Sequence, residues 1–552
     1  MFISKVKELL NNFRKNPPFI PFSILSGTLY FLTFKCMYIL NPANYAWMGS
    51  AVDSATHYMG WAYFRHTPLL QYPLGLNPNY SMSVTNTIVY TDSIPLLAFL
   101  FKTVNDILPP YFQYFGWWIL LCFILQVYFS LKLLNARIDN KYIVYIGSFF
   151  FLFCNSFILY LRIAGGQFAL LGQWMVIAAL YFCMDEKYLF KRWVALILFA
   201  VLVHAYIAAM VIALFIADTI SRALKNELLP LACFLNSLAV FLVTLMVMHA
   251  AGYFTPLSGN MNTDIDLHSH IFSLFDPDGS THASSLFSIY KQFSPTYVGT
   301  GIVLLLAYLL LTKSKFVKPL KELPLVPVIA CILMYVYSWG PEIGIWWKTI
   351  FTLPRIPVYN EILNFFRNSY RFALPLMYIA IFAALYLFYK NAKPSNVKAA
   401  AALILLLSLQ FLDHMHDHKL SRRRLEHNRQ PMMSNPDAIL YDAVSKNAVI
   451  CEKIVYEDTD FTPAIFPVTA YAARYNIPTN CSRRSRITET YDGFNIDIFK
   501  SGNYDRSALY IIKNDDLWSA IKSTVEPSET REDGVFRIYA PQKDLYKTGI
   551  QE

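Results

Sequence analysis

Charge is scarce in this chain. Only 15% of its 552 residues are Asp, Glu, Lys or Arg, against 55% apolar and 16% aromatic, and the mean hydropathy is positive. That balance is wrong for an ordinary water-soluble domain and right for a polytopic membrane protein. Other absences narrow the field further. No Walker loop, dinucleotide fingerprint or nucleophile elbow occurs, so the common nucleotide and acyl-transfer motifs are missing. No solenoid-like repeat or low-complexity tract is present. The net charge of +10 has no basic, aromatic module to carry it apart from the apolar runs, which excludes nucleic acid as a partner. In such a chain Lys and Arg gather in short loops as topology signals. No small-residue cleavage site follows the first apolar run, so Met1–Pro18 reads as an amphipathic basic lead and 19–40 as a retained signal anchor.

The apolar runs predict about eleven spans, at 19–40, 111–133, 142–160, 167–184, 191–204, 205–220, 229–250, 298–312, 323–340, 371–389 and 398–412. The loops of Lys132, Arg137 and Lys141, of Lys187, Lys191 and Arg192, of Arg222 and Lys225, of Lys313 to Lys321 and of Lys390 to Lys398 then share the side of the basic N-terminus. Two local choices keep that charge rule intact. Val89–Phe101 is read as an interfacial helix, and Trp193–Ile220 as two short spans meeting at His204. Arg422, Arg423 and Arg424 argue the other way, close behind the last span, and are discounted because long domains translocate largely regardless of charge.

On this topology a helical domain over 1–412 carries large outer loops at 41–110, 251–297 and 341–370. Residues 413–552 form a small periplasmic α/β domain. Its helical patterns fall at Asn435–Asn447 and Asp515–Ser523, and its strand-like runs at Val449–Tyr456, Ala508–Lys513 and Gly534–Tyr539. Cys36, Cys122, Cys154, Cys183, Cys233 and Cys331 lie in spans at no metal-like spacing and read as small core residues. Cys451 and Cys481 either pair in an oxidising compartment or remain two buried thiols.

Chemistry is expected on the outer face. Asp53, an acid just beyond the first span, is a candidate base; His57, Arg65 and Asp92 follow on the same loop. Asp92, ahead of Ser93, Ile94 and Pro95, also fits a helix N-cap. Arg162 and Gln167 in RIAGGQ, and His204 between two spans, stand at outer helix ends. Arg367 and Arg371 in FRNSYRF are spaced i, i+4, so on a helix both guanidiniums share a face and can clamp a phosphate, or anchor the helix among headgroups. The proline-broken stretch ahead of them reads as a surface-lying or re-entrant segment. DHMHDH, from Asp413 to His418, is dense in ligands but matches no zinc framework, so it reads as a polar membrane exit. DIDLHSH and FDPDGSTH, with Asp264, Asp266, His268, His270, Asp276, Asp278 and His282, can hold a divalent cation or make turns, and Pro277 and Gly279 favour turns.

The stretches DSATHYMGWAYFR, YTDSIPLLAFLFK, RIAGGQFALLGQW, LVHAYIAAMV and FRNSYRFALP resemble a little-characterised family of bacterial inner-membrane proteins thought to share the GT-C fold. GT-C glycosyltransferases draw sugars from polyprenyl-phosphate carriers. The resemblance covers most of 19–412 and, more loosely, the tail. It implies a polyprenyl (undecaprenyl) phosphate sugar donor, a lipid-linked glycan acceptor such as O-antigen and inverting transfer at the periplasmic face of the inner membrane. Asp53 would be the base, and Arg162, Arg367 and Arg371 would meet the carrier phosphate. His57, Arg65, Asp92, Gln167 and His204 complete the expected substrate-binding set. Gln167 is a departure, since His is expected after the glycine. No cofactor is required, although a divalent cation is compatible with the chemistry. The competing expectations are a transporter or flippase of an amphiphilic, lipid-linked substrate, and a non-catalytic scaffold for envelope glycan assembly. The former calls for a pseudo-symmetric repeat and broken helices at mid-membrane, and neither is visible.

Overall fold

In a computed structural model of the chain, the structure describes residues 18–50, 52–82, 85–162, 166–256, 268–277, 296–312, 317–345, 348–354, 357–392, 396–427, 451–457, 466–482, 496–533 and 536–543. The helices of the first part are α1 (Phe19–Leu32), α2 (Val52–Phe64), α3 (Pro95–Lys102), α4 (Phe115–Asn135), α5 (Lys141–Leu152), α6 (Asn155–Leu159), α7 (Trp174–Met184), α8 (Phe190–Val203), α9 (Ala205–Leu224), α10 (Pro230–Ala251), α11 (Thr300–Leu311), α12 (Val317–Leu320) and α13 (Leu325–Ser338). A hairpin of β1 (Glu342–Ile345) and β2 (Lys348–Thr352) follows, then α14 (Pro357–Phe365), α15 (Leu374–Ala392), α16 (Asn396–Asp413) and α17 (Met415–His427). The last part holds β3 (Lys453–Tyr456), α18 (Phe466–Arg474), α19 (Ile496–Ser501), β4 (Ala508–Ile512), α20 (Asp515–Lys522), β5 (Thr530–Asp533) and β6 (Phe536–Tyr539).

The protein is a helical membrane protein. Among the described residues, Phe115–Asn135, Lys141–Leu159, Ala205–Leu224, Pro230–Ala251 and Ser369–Asn391 are long and apolar enough to cross a bilayer, and the bent pair α16–α17 makes up to six. The other expected spans fall on shorter helices: α1, α8, Phe168–Met184, α11 and α13. At 1.5 Å per residue, a helix of such length rises less than the ~30 Å hydrocarbon thickness. α10 lies at the periphery, with Leu231, Phe234, Phe241 and Met246 exposed. α4 is central, packed against α1, α5 and α7.

Two local choices take definite form. Val89–Phe101 resolves into a short helical turn, Ile88–Thr91, and the eight-residue α3, which is too short to span. His204 sits in extended conformation between α8 and α9 and separates them. Arg222, expected to be a loop cation, turns inward instead. It bonds Asp218 at 3.0 Å and the carbonyls of Glu186, Phe182 and Asp185, and so ties the end of α9 to the turn after α7. The segment at 341–370, expected to lie on the surface or re-enter, is the β1–β2 hairpin followed by α14.

The tail sheet has the order β3-β4-β6-β5, with β3 and β4 parallel and the other pairs antiparallel. Side chains alternate across β4 as strand geometry requires. Leu509 and Ile511 join the main core on the α18 side, while Tyr510 and Ile512 pack with Phe499, Leu517, Trp518 and Ile521 on the other. The expected helix at Asn435–Asn447 lies outside the described residues. Cys451 and Cys481 are separate buried thiols, the second of the two readings of the sequence.

The tail is not set apart from the helices. α18 lies on α2, with the Phe466 ring against Tyr45 and Tyr58; Tyr63 donates to the Ile477 carbonyl at 2.9 Å, and Asn79 to Asn476 Oδ1 at 2.9 Å.

Candidate active site

Asp53 stands in the first turn of α2, where the partial positive charge of a helix N-terminus favours a carboxylate. That alone would be an ordinary structural reason for an acid. What distinguishes Asp53 is its partner. Gly166 adopts φ +104°, which a side chain rarely allows, and the chain then delivers Gln167. Gln167 Nε2 donates to Asp53 Oδ2 at 3.1 Å, while its Oε1 accepts from Arg371 Nη2 at 3.0 Å. The amide can point only this way, because the reverse would set N–H groups against a guanidinium and oxygen against a carboxylate. Three residues singled out in the sequence are therefore linked in one chain of bonds.

Arg371 is buried, with its guanidinium 4.6 Å from the Tyr206 ring and 5.7 Å from that of Tyr370. Among the described residues it has no carboxylate within ion-pair distance. Tyr206 continues the chain, its backbone N–H donating to His204 Nδ1 at 3.2 Å. In the neutral ring that leaves the proton on Nε2, which faces Asp92 Oδ1 at 3.7 Å.

Asp92 does not cap α3. The N-cap position belongs to Ile94, and no side chain bonds there. Both Asp92 and Ile94 have positive φ, +49° and +52°. For a β-branched residue this is an outlier, costing on the order of 1–3 kcal/mol. The strained turn is held from α2. His57 Nδ1 bonds the Thr91 carbonyl at 2.8 Å, Ser93 Oγ donates to the His57 carbonyl at 2.7 Å, and a methyl group at Gly60 would meet Thr91 Oγ1 at 2.1 Å. His57 is thus a positioning residue for the Asp92 turn.

A second cationic group approaches from α17. Arg162 Nη2 bonds the fully buried Asp417 at 2.6 Å, and Arg424 Nη1 donates to the Arg162 carbonyl at 2.8 Å. Arg424 lies in the electrostatic field of both Asp53 and Arg162. The remaining expected residues lie apart or change character. Arg65 donates to Asn105 Oδ1 at 2.6 Å and to the carbonyls of Pro109 and Pro110 at 2.9 Å, which fixes that loop. Arg367 and Arg371 do not share a helical face, because the helix ends at Phe365 and Ser369–Ala373 forms a separate tighter turn.

DHMHDH is dispersed. Asp413 accepts from Thr300 at 2.5 Å, Asp417 from Arg162, and His418 bonds Thr33 at 2.7 Å. His270 faces Asp276 at 3.2 Å, while Asp264, Asp266, Asp278 and His282 lie outside the described residues. No group of three or more His, Cys, Asp or Glu side chains suited to a metal occurs among the described residues. Sequence reasoning missed Tyr206, Asp417 and Arg424 as members of the site. The arginine tract that contradicted the charge rule was the one available signal for Arg424.

A search of curated proteins finds no match. A family model described as "Domain of unknown function (DUF6311)" matches residues 24–415, a stretch that contains Asp53, Asp92, Arg162, Gln167, His204 and Arg371, and the chain belongs to that family.

Proposed function

We propose that this protein is a membrane glycosyltransferase of the GT-C type. It would move a sugar from a polyprenyl-phosphate carrier, with inversion, to an envelope glycan acceptor at the periplasmic face of the bacterial inner membrane. The observation that supports this reading most is Arg371, a buried guanidinium with no carboxylate at ion-pair distance among the described residues, held through Gln167 to the acid in the first turn of α2. Burying an unpaired charge costs several kcal/mol, so an anionic substrate group is the natural complement.

Asp53 accepts the proton of the acceptor hydroxyl as that oxygen attacks the anomeric carbon. The bond from that carbon to the carrier phosphate oxygen breaks, and its electron pair leaves with the phosphate. A guanidinium roughly 4 Å from the developing charge contributes about 4 kcal/mol at an effective dielectric of 20, enough to matter without a metal. Gln167 keeps the carboxylate turned toward its task.

The test is transfer from synthetic undecaprenyl-phosphate sugars by the purified protein. Asp53→Asn is nearly isosteric and should keep carrier binding while losing roughly 10²- to 10⁴-fold in rate. Transfer by Asp53→Asn at the wild-type rate would remove Asp53 from the base role.

A further inference from the structure

We propose that Arg424, on the helix beyond the family-matched region, joins Arg162 to bind the carrier phosphate, and that the charge of this site rises with that of its ligand during transfer. The proposal rests on the glycosyltransferase reading above and deepens it.

The helix that carries Arg424 is fixed in place rather than trailing in solvent. α17 bends by 51° from α16. It is then held by the His418 ring 4.1 Å from that of Phe34, by Ser421 Oγ donating to the Ile158 carbonyl at 3.3 Å and by the buried Leu425. This delivers Arg424 onto Arg162. The Nε atoms of both guanidiniums are buried and have no hydrogen-bond partner among the described residues. Among the described residues Arg424 has no carboxylate within ion-pair distance, and Asp53, the acid whose field reaches it, makes its hydrogen bond to Gln167 instead. Two adjacent planar forks with unused donors fit the oxygens of a phosphate.

Charge decides which phosphate. The Arg162–Asp417–Arg424 group and the neighbouring Asp53–Gln167–Arg371 group together hold three guanidiniums and two carboxylates, one net positive charge, with Asp92 reached, among the described residues, only through Tyr206 and His204. A sugar linked through a carrier phosphate is a diester with one negative charge. When transfer occurs, the phosphate leaves as a monoester of nearly two negative charges. In the same step Asp53 takes the hydroxyl proton and becomes neutral, so the two groups together gain a second positive charge. Site and ligand stay matched before and after the bond breaks. The product therefore binds best while Asp53 is neutral, and its release follows loss of that proton.

The full-length protein in phosphatidylcholine nanodiscs, titrated with farnesyl phosphate, farnesol and inorganic phosphate, tests this. Arg424→Gln should weaken farnesyl phosphate binding about 10-fold or more, the effect of losing a charge-assisted hydrogen bond, with farnesol unaffected. Arg424→Lys, which keeps the charge but loses the fork, should fall between. Arg423→Gln, on the exposed side of the same helix, should bind as wild type. Asp53→Asn should bind the monoester more tightly than wild type. Equal farnesyl phosphate affinity in wild type and Arg424→Gln overturns the site, and weaker monoester binding by Asp53→Asn overturns the charge matching. Displacement by inorganic phosphate at comparable concentration retains the phosphate site and overturns the lipid source. Absence of sugar transfer with Arg424-dependent phosphate binding intact would remove the transferase reading alone.

Discussion

The side-chain amide of Gln167 donates to Asp53 and accepts from Arg371 without itself titrating, whereas an imidazole in that place would lose its acceptor on protonation. Gln at this position is therefore a fixed spacer, where a His could carry a proton. Gln167→Glu tests the consequence, because it sets a second carboxylate against Asp53. Like charges at such a separation raise the proton affinity of the pair. Gln167→Glu should then transfer sugar well below the wild-type rate, and an unchanged rate would show that the Gln167 bridge does not serve Asp53. The residues of this network were legible one at a time, since polar groups at helix ends of an apolar chain are rare enough to notice. Their connections were not, because hydrogen bonds between residues so distant in sequence leave no mark in spacing.

At the scale of elements, α2 and the 91–94 turn form one device. The helix approaches the turn closely at Gly60, where an added methyl would lie 2.5 Å from Thr91 Cβ as well as from Ser93 Oγ. Gly60→Ala gains about 1 kcal/mol of helix propensity but must displace a strained turn packed against the helix, at a cost of roughly 1–3 kcal/mol. The steric effect wins, so the variant should melt below wild type and lose activity through a misplaced Asp92. A higher melting temperature would mean that the turn yields freely. The charge of the loops placed the break at His204, and apolar periodicity placed the long helices, because burial in lipid or core dictates them. It failed at Arg367 and Arg371, where i, i+4 spacing presumed a continuous helix, and at Asp92, where a good capping residue sits two places too early for α3.

For the whole molecule, the informative feature is that the tail shares the main core instead of standing off as a separate body. Phe466 is fully buried between Gly49, Tyr45 and Tyr58, and Phe466→Ala should cost about 3–5 kcal/mol. Limited proteolysis should then cleave the variant ahead of α18 faster than wild type; equal rates would mean that docking does not depend on this contact. Composition foretold a small α/β unit but could not foretell its seat, since a buried aromatic reads the same whichever surface receives it. The long reach of the site has a further effect on how the protein comes into being. Arg162 waits for Asp417, 255 residues later in the chain, and synthesis at about 5–20 residues per second makes that wait on the order of 10 s or more. During this time the nascent protein holds a cation without its counter-ion at a helix end. On the proposed transferase reading, competence would therefore come late in biogenesis, and a chain stalled before α17 would present the quality-control machinery with an Arg162 that still lacks Asp417.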